Sequence, residues 1–279
     1  MTGSRQSDAL RLSDNLAERF SDDLAVESPL SIDIKHKSAI IPMGITMRTP
    51  GEDKDLAIGF LYSEGVIDKF TDIESISQSE DRISIAIRAE VEFEIESHRR
   101  HTITSAACGV CGKDSLTNLH KIHSSHLNSS LRIHSSQLSA NLIFFSKKQS
   151  LFETTGGTHA AVAFSEEGEI IATKEDVGRH NALDKLIGHI LSTDGLNSEE
   201  LILHVSGRSS FELVQKTIRA GFPILASVGA ASTLAVDLAR ECNLTLVCFL
   251  KVDSMVIHSA PNRIIHKFNQ KGLINQHNE

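Results

Sequence analysis

An α/β fold preceded by a smaller α+β unit is predicted for this chain, and three observations predict it. Three apolar runs, Leu201 to Val205, Ile224 to Val228 and Leu244 to Leu250, are separated by amphipathic stretches of helical period, the pattern of parallel strands joined by crossover helices with helices on the sheet faces. From Pro29 to about Ala89, apolar and polar positions alternate as in half-buried strands, interrupted by one helix. Between these regions a Ser- and His-rich stretch surrounds Cys108-Gly109-Val110-Cys111-Gly112, whose glycines and small polar neighbours keep the thiols on pliable backbone, off a packed core face.

Element by element, residues 1 to 25 are polar with a weak helical period through Leu10, Leu12, Leu16 and Phe20, and read as a loosely attached segment. Residues 26 to 100 form the small α+β subdomain, with strands around Leu30, Ile32 and Ile34, then Ile40 to Met47, then Ile83, Ile85 and Ile87. Its helix starts after Pro50-Gly51, carries Glu52, Asp53 and Asp55 in its first turn, stops near Gly65 and buries Leu56, Phe60 and Leu61. Residues 101 to 135 are the Cys-containing loop and connecting segment, read as flexible, and 136 to 279 the α/β domain. That domain opens with a helix over 136 to 153. A hairpin follows, of Thr158 to Phe164 and Glu169 to Ala172 around Ser165-Glu166-Glu167-Gly168, and then a helix over Arg179 to Leu191. No internal repeat is present.

Composition narrows the function classes. The chain has 279 residues, 40% of them hydrophobic, enough for a real core in one large or two smaller domains. A net charge of -8 excludes bulk positive potential as a means of coating nucleic acid and makes any anion site a local one. Nothing approaches the ~20 apolar residues of a membrane-spanning helix, and the first 25 residues lack a signal-peptide apolar block, so the expected location is cytoplasmic. Four cysteines, only two of them close together, do not make a disulfide framework in a reducing compartment. Cys248, inside an apolar run, is expected in the core; Cys242, at a helix end, is expected nearer solvent.

Three features carry chemistry. Cys108 and Cys111 have the C-x-x-C spacing in which one thiol lowers the pKa of the other or resolves a mixed disulfide. Ser206-Gly207-Arg208-Ser209-Ser210 follows a strand and opens a helix, with Ser209 and Glu212 spaced as a capping box; free N–H groups and the Arg208 fork there suit a phosphate oxygen. Gly229-Ala230-Ala231-Ser232 repeats the arrangement, and an ordinary strand-to-helix turn explains both strings equally well. Lys174 to Lys185, with Arg179-His180-Asn181 at its centre, is too dense in charge, amide and imidazole for a merely solvated face and reads as a site floor. The bland alternative has Asp176 capping the helix and Asp184 and Lys185 in water. Gly156-Gly157-Thr158-His159 lies nearby in that reading, although a lone His159 or His204 is more often a hydrogen-bonded interior residue.

The strings MRTPGEDKDLAIGFLYSEG, CGVCGK, GGTHAA, EDVGRHNALDKLIG and SGRSSFELVQK, in this order from about Glu27 to Leu250, resemble the FdhD family of formate dehydrogenase accessory proteins. The resemblance implies a sulfurtransferase that takes persulfide sulfur from a cysteine desulfurase and delivers it to the molybdenum of a bis(molybdopterin guanine dinucleotide) cofactor, held as a bound substrate, before its insertion into apo formate dehydrogenase. It also implies a cytidine-deaminase-like three-layer sandwich and a homodimer. The family's persulfide-carrying cysteine falls on Cys108 and its companion on Cys111.

Zinc deaminases use H-x-E and P-C-x-x-C at helix N-termini, and the corresponding helix starts here read His180-Asn181-Ala182 and Gly207-Arg208-Ser209-Ser210. Deamination is therefore not expected, and Arg179, His180, Asn181, Ser206, Gly207, Arg208 and Ser209 are the expected contacts for a guanine nucleotide, with no resident metal. The family's last cofactor-contacting segment maps to Phe249, Leu250, Lys251, Val252, Asp253 and Ser254. The chain departs there from the family's Arg-Gly turn and following Phe-Asn-Val-Tyr, so Lys251 would meet a phosphate as a point charge without the bidentate fork of Arg. Two other functions fit parts of the pattern: a zinc-stabilised binding module using Cys108 and Cys111 with two of His101, His120, His123 and His126, and a non-catalytic chaperone that only holds the cofactor.

Overall fold

The structure, a computed structural model, describes residues 3–93 and 126–266. The polar N-terminus forms no helix: β1 (Ser4–Ser13) and β2 (Leu16–Ala25) pair antiparallel through a turn at Asp14-Asn15. Alternation wins over the weak helical period because every other residue can turn to one face of the ladder, although Leu10, Leu12 and Leu16 remain exposed.

The next unit is a four-stranded sheet in the order β4-β3-β6-β5, built from β3 (Ser28–His36), β4 (Ala39–Arg48), β5 (Ile73–Gln78) and β6 (Arg82–Ile87). The alternating residues Leu30, Ile32, Ile34, Ile83, Ile85 and Ile87 share one core with Leu56, Ile58 and Leu61 of α1 (Asp53–Ser63). At the entrance to α1, Arg48 and Asp53, both buried, form a two-pronged ion pair at 2.8 and 3.0 Å, and Gln78 donates to the same carboxylate at 3.1 Å.

The second half is a six-stranded sheet in the order β13-β12-β11-β10-β8-β9. Its hairpin strands are β8 (His159–Phe164) and β9 (Ile170–Asp176); β10 (Ile202–Val205), β11 (Ile224–Ser227) and β12 (Thr245–Cys248) run parallel, as the apolar runs predict. An antiparallel edge strand, β13 (Val256–Ser259), has too little apolar pattern to be read from sequence. Strand residues alternate between two cores. Ala161, Ala163, Leu203, Val205, Leu225 and Leu246 pack on α4 (Arg179–Ser192), α5 (Phe211–Arg219) and α6 (Thr233–Glu241), while Val162, Phe164, Ile202, Ile224 and Val247 pack on α2 (Ser135–Lys147). Helices thus cover both faces of the sheet.

The helix expected over 136 to 153 is two helices, α2 and α3 (Ser150–Thr155), broken at Lys148-Gln149. The carboxylate of Glu175 accepts from the Leu151 and Phe152 amides at 3.0 and 2.9 Å and so gives α3 its own N-terminus. Short strands β7 (Ile133–His134) and β14 (Ile264–Ile265) pair beside α2. Arg263, buried, clamps the backbone where the described chain resumes, donating to the carbonyls of Leu127 (3.0 Å), Ser129 (3.3 Å) and Asn243 (2.7 Å).

α4 carries the densest motif and is buried at every position from Asn181 to Gly188. Asp184 and Lys185 are therefore not solvated. One flank of α4 crosses α1 at Gly59 and Gly188, where a Cβ on Gly59 would collide with the Asp184 carbonyl and one on Gly188 with the Asp55 carbonyl. Asp184 accepts from Ser63 at 2.8 Å and pairs with Lys216 at 2.5 Å. Burial works against the Lys216 charge, but Asp184 outweighs it and holds the amine protonated.

Candidate functional site

Strands β10, β11 and β12 end together, and their loops are laced across one edge of the sheet. Ser209 donates its amide to Ala230 O at 2.9 Å, Ser227 Oγ donates to Gly207 O at 2.7 Å, and Phe249 donates its amide to Gly229 O at 3.1 Å. Gly229 permits this approach, since a Cβ there would stand 2.9 Å from Arg208 Cα and 3.0 Å from Gly207 O. In open α/β sheets the crevice outside the carboxyl ends of parallel strands is where ligands bind.

Arg179 and His180, at the first turn of α4, reach this edge from the side. Arg179 lies over Gly207, its Cδ 3.3 Å from where a Cβ would be, and its buried Nε has no hydrogen-bond partner among the described residues. His180 Nε2 stands 3.4 Å from Ser210 Oγ and 3.5 Å from the Glu212 carboxylate. Burial, with Lys216 and Arg179 nearby, pushes its pKa down to about 3, so the ring is neutral at physiological pH. Arg208 is exposed at the rim. Phe249, also exposed, adopts a left-handed backbone at φ 48° that costs an aromatic residue energy.

Several motif residues are occupied elsewhere. Asn181 donates to Met47 O at 2.7 Å and to Asp176 Oδ1 at 3.0 Å and accepts from Thr46 at 3.1 Å, so its amide is spent inside the protein. Buried Asp176 pairs with Lys185 at 2.8 Å and accepts from the amides of Thr49 and Gly178 at 3.1 and 2.9 Å. The expected capping box does not form: Ser210 is the N-cap of α5, Ser209 is fully buried in a bridge to Ala231, and Glu212 turns toward His180. Ser232 does cap α6, accepting from Ala235 N at 3.3 Å. Leu250 is buried, while Lys251, Val252, Asp253 and Ser254 form an exposed loop closed by a Lys251 amide to Ser254 carbonyl bond at 2.8 Å.

Cys248 is in the core as expected; Cys242 is buried too, its helix end covered, and burial raises both thiol pKa values above the usual range. Neither is a candidate thiolate. Cys108 and Cys111 lie outside the described residues, as do His101, His120 and His123; His126, exposed, faces Asn128 at 3.0 Å. Among the described residues no group of three His, Cys, Asp or Glu side chains is placed to hold a metal, and no helix is long and apolar enough to cross a membrane. His159, in the GGTH string but not among the expected contacts, has its Nδ1 3.2 Å from Ser206 Oγ, near Arg179.

Comparison with known proteins agrees with the strings. The chain is 38% identical over 260 residues to a protein of Saccharolobus solfataricus named "Sulfur carrier protein FdhD", covering 93% of this chain and 98% of that one. A protein of the same name from Nocardia farcinica is 41% identical over 258 residues, covering 88% and 89%. In fold, a crystal structure from Desulfotalea psychrophila, named as a formate dehydrogenase accessory protein, superposes with a TM-score of 0.76 at 23% identity over 95% of this chain and 100% of that one. The FdhD/NarQ family profile matches residues 25–265, and the chain belongs to that family.

Proposed function

We propose that this chain is a sulfur carrier serving formate dehydrogenase, receiving sulfur from a cysteine desulfurase on Cys108 and passing it to the molybdenum of a guanylated bis-molybdopterin cofactor bound at the strand edge described above. The observation that carries this reading is the pairing of a C-x-x-C, in a chain that covers nearly the full length of relatives named as sulfur carriers, with a strand-edge site whose buried Arg179 Nε waits for an acceptor. In the first step the Cys108 thiolate attacks the terminal sulfur of the donor's persulfide; the new bond is Cys108–S–SH, and the donor leaves as a thiolate. In the second, the Cys111 thiolate attacks Cys108 Sγ. A Cys108–Cys111 disulfide forms, the sulfane sulfur is reduced to sulfide and leaves toward the metal of the cargo, and a thiol reductant resets the pair.

Arg179, Arg208 and the free N–H groups of the loop after β10 would hold the nucleotide's phosphates, and Phe249 offers a ring for the base to stack on. Sheet order, with helices following β9, β10 and β11, also supports a cytidine-deaminase-like reading of this unit. The zinc-ligating and proton-moving residues of such enzymes are replaced at its helix starts.

The test is to incubate the protein with a cysteine desulfurase and cysteine and examine it by mass spectrometry. One added sulfur on Cys108, retained in Cys111→Ser and absent in Cys108→Ser, is expected. Normal formate dehydrogenase activity in cells supplied only with Cys108→Ser would refute the carrier role and leave a cofactor-holding chaperone.

A further inference from the structure

The strand-edge site contains a second imidazole, His159 at the start of β8. Ser206 Oγ accepts from the Ala160 amide at 2.9 Å and sits 3.2 Å from His159 Nδ1. The amide can only donate, which leaves the serine proton able to go to Nδ1; in that tautomer the imidazole carries its own proton on Nε2. Nε2 makes no hydrogen bond or ion pair among the described residues. Arg179, whose buried Nε has no hydrogen-bond partner among the described residues, lies close enough for its charge to act on the ring. The two side chains meet over Gly207, where a Cβ would lie 3.3 Å from Arg179 Cδ and 3.7 Å from His159 Nδ1. A guanidinium with an unpartnered N–H and an imidazole, meeting over a backbone without a side chain, form a cradle for a phosphate oxygen.

The charges around His159 are unbalanced. Arg179 and His180 face it from α4 and Asp176 from β9; Asp176 is already paired with Lys185, and behind His180 stand Lys216, Glu212 and Asp184. Burial and Arg179 hold the pKa of His159 below that of a free imidazole. A bound phosphate reverses the sign of the nearest field, whereas His180 remains buried against Lys216.

We propose that His159 grips the phosphate of the bound ligand together with Arg179 and takes up a proton as it does so, making ligand binding at this edge proton-coupled. This rests on the nucleotide site proposed above. The test is calorimetric titration of the full-length protein with GDP and, separately, with inorganic pyrophosphate, in buffers of different ionisation enthalpy. His159→Gln, which keeps a neutral donor, and His159→Asn are compared with the parent, so that the ligand's own titration cancels; unchanged melting temperatures show that the variants fold.

Expected for the parent is net proton uptake and an affinity that rises from about pH 8 to about pH 6, by up to about tenfold per pH unit. Both variants should lose that excess uptake and slope. Identical uptake in parent and variants overturns the proposal and leaves the nucleotide site standing. Uptake with pyrophosphate but no binding of GDP keeps the clamp and removes the guanine reading. Binding of neither ligand overturns both.

Discussion

Phe249 shows what one residue can reveal. A large ring in the left-handed region is disfavoured by about 1–2 kcal/mol, yet here it ends β12 and stands exposed at the rim of the candidate site. Phe249→Gly should relieve that strain and raise stability in urea by about 1 kcal/mol while weakening guanine nucleotide binding; a loss of both would make the ring structural. His204 is the opposite case, a ring with no ligand to meet. It lies in the core between Phe145 and Phe164, its Nε2 has no partner among the described residues, and burial lowers its pKa to about 3. The unfolded chain, with histidine near 6.5, then binds the proton that the folded one refuses. Stability from this group is complete above about pH 6.5 and falls toward pH 3 by up to about 1.4 kcal/mol per unit. His204→Leu should flatten that slope in denaturation curves taken across the range and cost little at neutral pH.

At the scale of elements, the crossing of α1 and α4 has no sequence signature beyond two glycines inside helices, where glycine costs about 1 kcal/mol against alanine. Gly59 and Gly188 remove the side chains that would otherwise strike the Asp184 and Asp55 carbonyls. Gly188→Ala should therefore destabilise despite its better helix propensity, by about 1–3 kcal/mol or more, and Gly59→Ala likewise. Because each helix meets the other's backbone at one place, the double variant should cost less than the sum, which chemical denaturation of all three would show. Strands β3, β4, β6, β8, β10, β11 and β12 were readable because alternation and apolar runs are local signals. The N-terminal hairpin, β13 and the break between α2 and α3 were not. The first has exposed leucines that mimic a helical stripe, and the last is set by Glu175, a residue more than twenty positions away in sequence.

In the whole molecule, two motifs distant in sequence prove to be one structure. The segment around Met47 to Asp55 is bonded to Lys174 through Lys185: Thr49 donates to Asp176, Lys185 to Thr49 O at 3.0 Å, Asn181 to Met47 O, and Lys174 pairs with Glu52 and Asp55. The ion pair at the centre, Asp176 with Lys185, is almost wholly buried. Asp176→Asn would leave the Lys185 charge without its counter-ion and should cost about 3–5 kcal/mol. Loss of that staple should also split a single unfolding transition in two, seen as non-coincident transitions by two spectroscopic probes; one unchanged cooperative transition would show that the Gly59–Gly188 crossing and the remaining ties suffice to couple the halves.

The amino-acid sequence by itself determined the family, the parallel core of the sheet and the thiol pair on which the proposed chemistry turns, because these are written in spacing and periodicity along the chain. Only the tertiary structure decided which charged residues of a dense motif face the strand edge and which face each other. Asp176, Asn181, Asp184 and Lys185 read like a site floor and are internal ties, whereas Arg179 keeps an unanswered donor at the strand edge, near the His159 ring. The physical reason is that a polar side chain is committed by whatever partner lies within hydrogen-bond reach, and for these residues the partners come from other parts of the chain, Ser63, Thr49 and Met47 above all.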